Sequence, residues 1–184
     1  GPLGLIPFWR HAVYSAALVQ QLSRIMPERK RPRPGLAYLA GLLHNFGLLL
    51  LGHKFRHEFM ALSDLVAQHP TRPITELEME TLGVTHCQIG AWLMEAWRMP
   101  PEIIAAVREH HTADYQGEHA TYVQLCFIAD CTLKGHDIGD APSSTLPADI
   151  LSQLQIDEVK VLMVMNRILQ DCEGLNSMAH NLAT

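Results

Sequence analysis

His44 and Asn45 interrupt the most apolar stretch of the chain, Gly41-Leu-Leu-His-Asn-Phe-Gly47 and the leucines that follow. Burying an imidazole and an amide without partners costs about 1–3 kcal/mol each, so other polar groups must meet them. The chain supplies candidates at intervals: His11, His86, the pair His110-His111, and Asp130. Imidazole is a ligand for transition metals and a proton carrier near neutral pH. Each of these side chains lies in a separate, mainly apolar segment with helical periodicity. Facing helices of a bundle build metal sites in this way, from inward-pointing ligands. Adjacent helical residues point about 100° apart, so His110 and His111 can serve neighbouring positions. Taken singly, each histidine reads as a satisfied core residue. Together they read either as a metal site or as a metal-free hydrogen-bonded network.

Other signals carry less. His53 and His57 have the i, i+4 spacing of a helical metal clamp, but they flank Lys54, Phe55 and Arg56 and read as a solvated face. His136-Asp137 sits in a polar loop and is read as a decoy. Arg29-Lys30-Arg31 and Arg33, set between prolines, read as a solvated loop rather than a phosphate contact. Trp9, Trp92 and Trp97 are expected in core or interface packing.

The segments that must position these groups read as helices throughout. Apolar residues recur at three- and four-residue steps over residues 5 to 26. Three prolines between Pro27 and Pro34 end that helix. A greasy helix then runs to about Gly52, and an amphipathic one covers 54 to 68. Thr75-x-x-Glu78 has the form of a capping box opening a short helix. Further helices are predicted over 84–97, 101–111, 120–134 and 157–172, with a Gly/Pro/Ser-rich loop at 135–147. No segment alternates as a strand does. The expected fold is an all-α bundle.

The composition fits that picture: 48% apolar and 18% charged residues describe a globular chain with a real core. A net charge of −5 argues against a nucleic-acid binder. Cys87, Cys126, Cys131 and Cys172 form no CxxC pair and read as reduced thiols of a cytoplasmic protein. The apolar run at 36–51 is short for a membrane span and has His44 and Asn45 at its centre, so it is read as a buried helix. Residues 1–4 have the form of a tag remnant left by a protease, and 5–184 are read as one domain.

The order His11, His44-Asn45, His86, His110-His111, Asp130 resembles the HD superfamily of metal-dependent phosphohydrolases. Glu109-His110-His111 is similar to the double-histidine helix of its HD-GYP branch. Three departures stand out. Asn45 replaces the aspartate that the resemblance assigns to bridging metals, and Leu48 stands where HD-GYP proteins have a lysine. Thr112-Ala-Asp-Tyr-Gln-Gly117 lacks the Gly-Tyr-Pro signature. The remaining pattern, including Gly83-Val-Thr-His-Cys-Gln-Ile-Gly-Ala-Trp-Leu93 and Trp97-Arg-Met-Pro100, looks most like the HDOD family of bacterial signalling output domains. That resemblance covers residues 8 to about 134. It also implies a helical segment before Phe8, so the chain is expected to be a fragment of a longer protein or a divergent member.

The resemblance implies an HD-like helical bundle and a non-catalytic module of bacterial signal transduction. Such a module acts through protein partners in the cytoplasm and can form a homodimer, with no nucleic-acid or membrane partner. His11, His44, Asn45, His86, His110, His111 and Asp130 are then a degenerate metal site with no catalytic residue. That site holds either no cofactor or one divalent transition metal (Fe, Mn, Zn or Ni). The alternative is a working phosphohydrolase on nucleotides or cyclic dinucleotides such as cyclic di-GMP. A metal or haem sensor is a third reading.

Overall fold

A computed structural model describes residues 3–139 and 141–184. Among them there are helices and no strand, as the periodicity predicts. The order is α1 (Leu5–Ile25), a 3-10 turn (Glu28–Lys30), α2 (Pro34–Leu43), α3 (Phe46–Lys54), α4 (Arg56–Gln68) and α5 (Ile74–Leu82). It continues with α6 (His86–Ala96), α7 (Pro101–Glu109), α8 (Ala120–Lys134), α9 (Ala148–Leu154), α10 (Glu158–Gln170) and α11 (Cys172–Ala183).

The first helix is the axis of the molecule. Its Leu18, Val19 and Leu22 are fully buried, and it packs against α2, α8, α10 and α11. Tyr14 Oη donates to Asn176 Oδ1 at 3.0 Å, which pins α11 across it. Helix α8 is buried along most of its length, from Tyr122 to Leu133. It therefore carries Asp130 into the centre of the core.

Sequence and structure differ at several places. The greasy helix is two helices, broken at His44-Asn45, where Asn45 takes φ −97°, ψ 10°. The amide is drawn into contacts described below, and a side chain competing with the helical ladder is a recognised cause of such breaks. The stretch Pro34–Lys54 is long and apolar enough to cross a membrane, yet half of it is buried inside the fold. The capping box at Thr75 does not form. The helix opens at Ile74 after Pro73 with no side-chain cap, and Glu78 turns inward. The capping box is instead at Thr85, whose hydroxyl accepts from the Gln88 N–H at 3.2 Å while Gln88 Oε1 accepts from the Thr85 N–H at 3.0 Å. Helices α9 and α11 were not expected from the pattern.

Two close crossings fix the site. A Cβ at Gly41 would come within 2.6 Å of the Ser15 carbonyl oxygen, so α2 lies directly on α1. A Cβ at Gly47 would come within 1.9 Å of the His86 carbonyl oxygen. Only glycine lets α3 approach α6 this closely, and the contact sets the start of α3 against the start of α6, where His86 lies.

Candidate metal centre

His11 is in α1, His44 and Asn45 form the α2–α3 break, and His86 opens α6. His110 and His111 follow α7, and Asp130 is in α8. All seven converge, and all but His111 are buried. They form two groups, His11–His44–Asp130 and His86–His110–His111, the second joined by Cys87. Asn45 lies between them: its Nδ2 donates to His11 Nδ1 at 3.2 Å, and its Oδ1 lies 3.0 Å from His110 Nε2.

The partners of each ring decide where its lone pair points. In the first group, His11 Nε2 lies 3.0 Å from Asp130 Oδ1, so the N–H donates there and Nδ1 accepts from Asn45. His44 Nδ1 donates to the Gly41 carbonyl at 2.9 Å. The remaining His44 nitrogen, Nε2, lies 3.2 Å from Asp130 Oδ1 but is not aligned as a hydrogen bond, and Asp130 Oδ2 has no hydrogen-bond partner.

In the second group, His86 Nδ1 donates to the Glu78 carboxylate at 2.8 and 2.9 Å, and the His86 backbone N–H donates to it at 3.0 Å. The αL turn at Gly83 (φ 68°) folds α5 back so that Glu78 reaches the ring. His110 Nδ1 donates to the Val107 carbonyl at 3.0 Å. Both Nε2 atoms therefore face inward, 3.1 Å apart, close enough to share one proton or a cation. Tying Nδ1–H to a carboxylate or carbonyl so that Nε2 faces a shared point is how metal-ligating histidines are oriented.

The electrostatics follow the same division. Burial pushes the Asp130 carboxyl up, but His44 and His11 beside it hold it well below the usual carboxylate range. Burial disfavours the His86 imidazolium, yet the Cys87 sulfur and Glu78 carboxylate leave it well above the ordinary histidine value. Burial and the neighbouring His111, His44 and His86 hold His110 well below that value. A buried ring nitrogen of His44 without an aligned hydrogen bond, an unpartnered carboxylate oxygen and converging imidazoles are a donor set that fits a divalent cation.

Two cavities reach this cluster. One of about 420 Å³ is walled by His110, His111, Asp130, Cys131 and the 141–147 loop. A smaller one, about 40 Å³, lies among Phe8, His11, Asn45, Leu48 and Gly139. Gly139 (φ 87°) lies so close to His11 that a Cβ would come within 2.6 Å of its ring. The loop carrying His136-Asp137 therefore acts as a cover, with Ile138 buried beneath it. His53 and His57 are exposed and fall on different helices, because the chain breaks at Phe55. Trp92 and Trp97 are 60% and 55% exposed, which removes them from the core. Glu78 and Cys87 are the two site residues that sequence reasoning missed. Glu78 was absorbed into a capping motif, while Cys87 carried one usable signal, its adjacency to His86.

The HDOD domain model matches residues 2–113, more than half the chain, ending before Asp130. A provisionally named signal transduction protein of Marinobacter aquaeolei VT8 superposes with a TM-score of 0.91 at 30% identity. The match covers 96% of this chain and 39% of that one. A provisionally named phosphohydrolase of Shewanella amazonensis SB2B (TM-score 0.74, 20% identity, 98% and 64% covered) shares the fold. So does an HDOD domain protein of unknown function from Geobacter sulfurreducens (0.72, 19%, 96% and 62%). An uncharacterized protein of Treponema pallidum (strain Nichols) is 26% identical over 136 residues, 73% of this chain and 26% of its own length. The chain thus spans well under half of the first relatives it matches. On the family match, its helical order and its histidine core, the chain belongs to the HDOD family.

Proposed function

We propose that this domain is a non-catalytic regulatory module of bacterial signal transduction, acting in the cytoplasm through protein contacts and retaining a metal site that no longer supports hydrolysis. The observation that carries this is Asn45. It touches both histidine groups, donating through Nδ2 to His11 Nδ1 and placing Oδ1 3.0 Å from His110 Nε2. A neutral amide is a weak ligand for a hard dication and cannot supply the bridging negative charge of a dinuclear centre. Leu48 supports the reading, since it is buried against Phe8 and Ala12 and leaves no cation at that position. The exposed Trp92 on α6 and Trp97 just beyond its C-terminal end suit a protein partner, because aromatic residues are enriched at interfaces.

His11, His44 and Asp130 on one side, and His86, His110 and His111 on the other, are the residues that would hold a cation. Bound there, it would supply positive charge that screens the facing lone pairs and ties α1, α6, α7 and α8 together. The chain's own groups orient the imidazoles, Glu78 and the Gly41 and Val107 carbonyls each fixing one Nδ1.

A second reading, an active phosphohydrolase on nucleotides or cyclic dinucleotides, is favoured by the 420 Å³ cavity that opens onto His110, His111 and Asp130. One assay separates the two. With manganese, iron or magnesium supplied, cyclic di-GMP and simple nucleotides should not be hydrolysed above background. Turnover that disappears in His44→Ala would replace the regulatory reading with the enzymatic one.

A further inference from the structure

We propose that Cys87 is a metal ligand, and that His86, Cys87, His110 and His111 form a three-nitrogen, one-sulfur site for a single zinc-class cation. This rests on the metal-retaining reading above and extends it, because it adds a ligand and names the class of cation.

The distances carry the argument. Zinc binds imidazole nitrogen at about 2.0–2.1 Å and thiolate sulfur at about 2.3 Å in a tetrahedron. Those bond lengths imply edges of about 3.3 Å between two nitrogens and about 3.6 Å between nitrogen and sulfur. In the structure His86 Nε2 and His110 Nε2 are 3.1 Å apart, and Cys87 Sγ lies 3.5 Å from the first and 4.0 Å from the second. With a ring nitrogen of His111, all four ligand atoms lie within 4.8 Å of one another. The His86–His110 and His86–Cys87 edges are already close to tetrahedral dimensions.

Direction is a second and independent observation. Glu78 fixes His86 and the Val107 carbonyl fixes His110, so two ring nitrogens converge 3.1 Å apart on one point, where a metal cation can take the place of a shared proton. The carboxylate–histidine arrangement is the orienting device that metal-ligating histidines use. In the first group His11 is not available as a ligand without rearrangement, because both its nitrogens are already engaged, by Asp130 and Asn45. His111, half-buried in the wall of the larger cavity, gives a route from solvent. A thiolate with imidazoles selects zinc, ferrous iron or cuprous copper over magnesium, calcium or manganese.

Cobalt(II) is the probe for the experiment, as a coloured substitute for zinc. The purified protein titrated with cobalt should develop a near-ultraviolet sulfur-to-cobalt charge-transfer band that zinc displaces. Cys87→Ser should abolish the band and weaken zinc binding by at least the 10–100-fold that outer-shell changes cost. Glu78→Gln should weaken binding and keep the band, and Asp130→Asn should leave the band in place. In the unaltered protein, zinc should protect Cys87 from alkylation mapped by mass spectrometry, a readout that does not depend on how the variants fold. Cobalt bound without a sulfur band, a band that survives Cys87→Ser, or unprotected Cys87 would overturn the assignment and leave a metal site of other ligands. No cobalt binding at all would overturn both the assignment and the metal-retaining reading.

Discussion

The two halves of the histidine core use their carboxylates in opposite ways. Between α1, the 44–45 turn and α8, Asp130 stands among the ligand atoms and faces both His11 and His44. Around α6 and the end of α7, Glu78 stands behind His86 and only its far nitrogen faces the centre. The first half carries its own negative charge and comes near to balancing itself. The second half places imidazole nitrogens and a thiol around one point, so its balance depends on the proton or cation held there. A carboxylate used as a ligand and a carboxylate used as a brace therefore make two different centres from nearly the same residue types.

That contrast breaks most readily at Asp130. Asp130→Ala leaves His44 and His11 buried around a void, and removing one partner of a buried charged contact costs about 3–5 kcal/mol. Urea unfolding should show a loss of that size, and equal midpoints for variant and parent would mean that the first half does not rely on Asp130.

Asn45→Asp sharpens the same comparison with a smaller effect. Without metal it sets a second buried carboxylate near Asp130 and forfeits the donor to His11, so stability should fall by about 1–3 kcal/mol. With a divalent cation supplied, binding should tighten, because carboxylate oxygen suits a dication better than amide oxygen. Thermal melts and calorimetric titration with and without chelator test both parts; unchanged melting together with unchanged binding would place Asn45 outside the centre.

Acidity separates the halves more gently. His110 is held below its ordinary value of 6.5, so on falling below that pH the unfolded chain takes up a proton that the folded one refuses. Its contribution is full above pH 6.5 and is lost on the acid side. His86 is held above 6.5, so its contribution is full below that pH and is lost as pH rises through the raised value. Asp130, held below 3.8, adds stability that is lost only in stronger acid. Metal-free melting temperature should therefore peak near pH 6.5, with neither limb steeper than about 1.4 kcal/mol per pH unit for one proton. His110→Gln should flatten the acid limb between pH 5 and 6.5, and an unchanged limb would assign it elsewhere.

Much of this arrangement was legible in the sequence. The helical periodicity marked α1 and α8 closely, and the order of the ligand-type residues, with its resemblance to the HD superfamily, pointed to His11, His44, Asn45, His86, His110, His111 and Asp130, though not to Glu78 or Cys87. Continuous hydrophobicity hid the break at His44-Asn45, because nothing in the pattern of leucines says that an amide will leave the helical ladder. Glu78 was out of reach for a related reason. Its contact with His86 depends on a turn at Gly83 that brings two helices together, whereas Thr75-x-x-Glu78 matched a local motif that Pro73 displaced. Helix α9 spans only seven residues, and α11 contains Gly174 and buries only Ala179 fully. The first is too short to show an apolar stripe, whereas α11 carries one, Cys172, Leu175, Met178 and Leu182 at three- to four-residue steps, which Gly174 and the polar residues between them obscure.

The crossing of α3 and α6 has a consequence for heredity. At Gly47 an added methyl group meets the backbone of His86 and Gly90, whereas at Gly90 its nearest obstacle is a methyl of the Val107 side chain, at 2.7 Å. The worst clash of a mutation at Gly90 can be relieved by a second one that trims Val107, leaving a tight approach of 3.2 Å to the Gly47 nitrogen. No change of side chain elsewhere removes a carbonyl oxygen, so a mutation at Gly47 has no such suppressor. The two glycines look alike in the sequence, but one of them can drift with its neighbour and the other cannot.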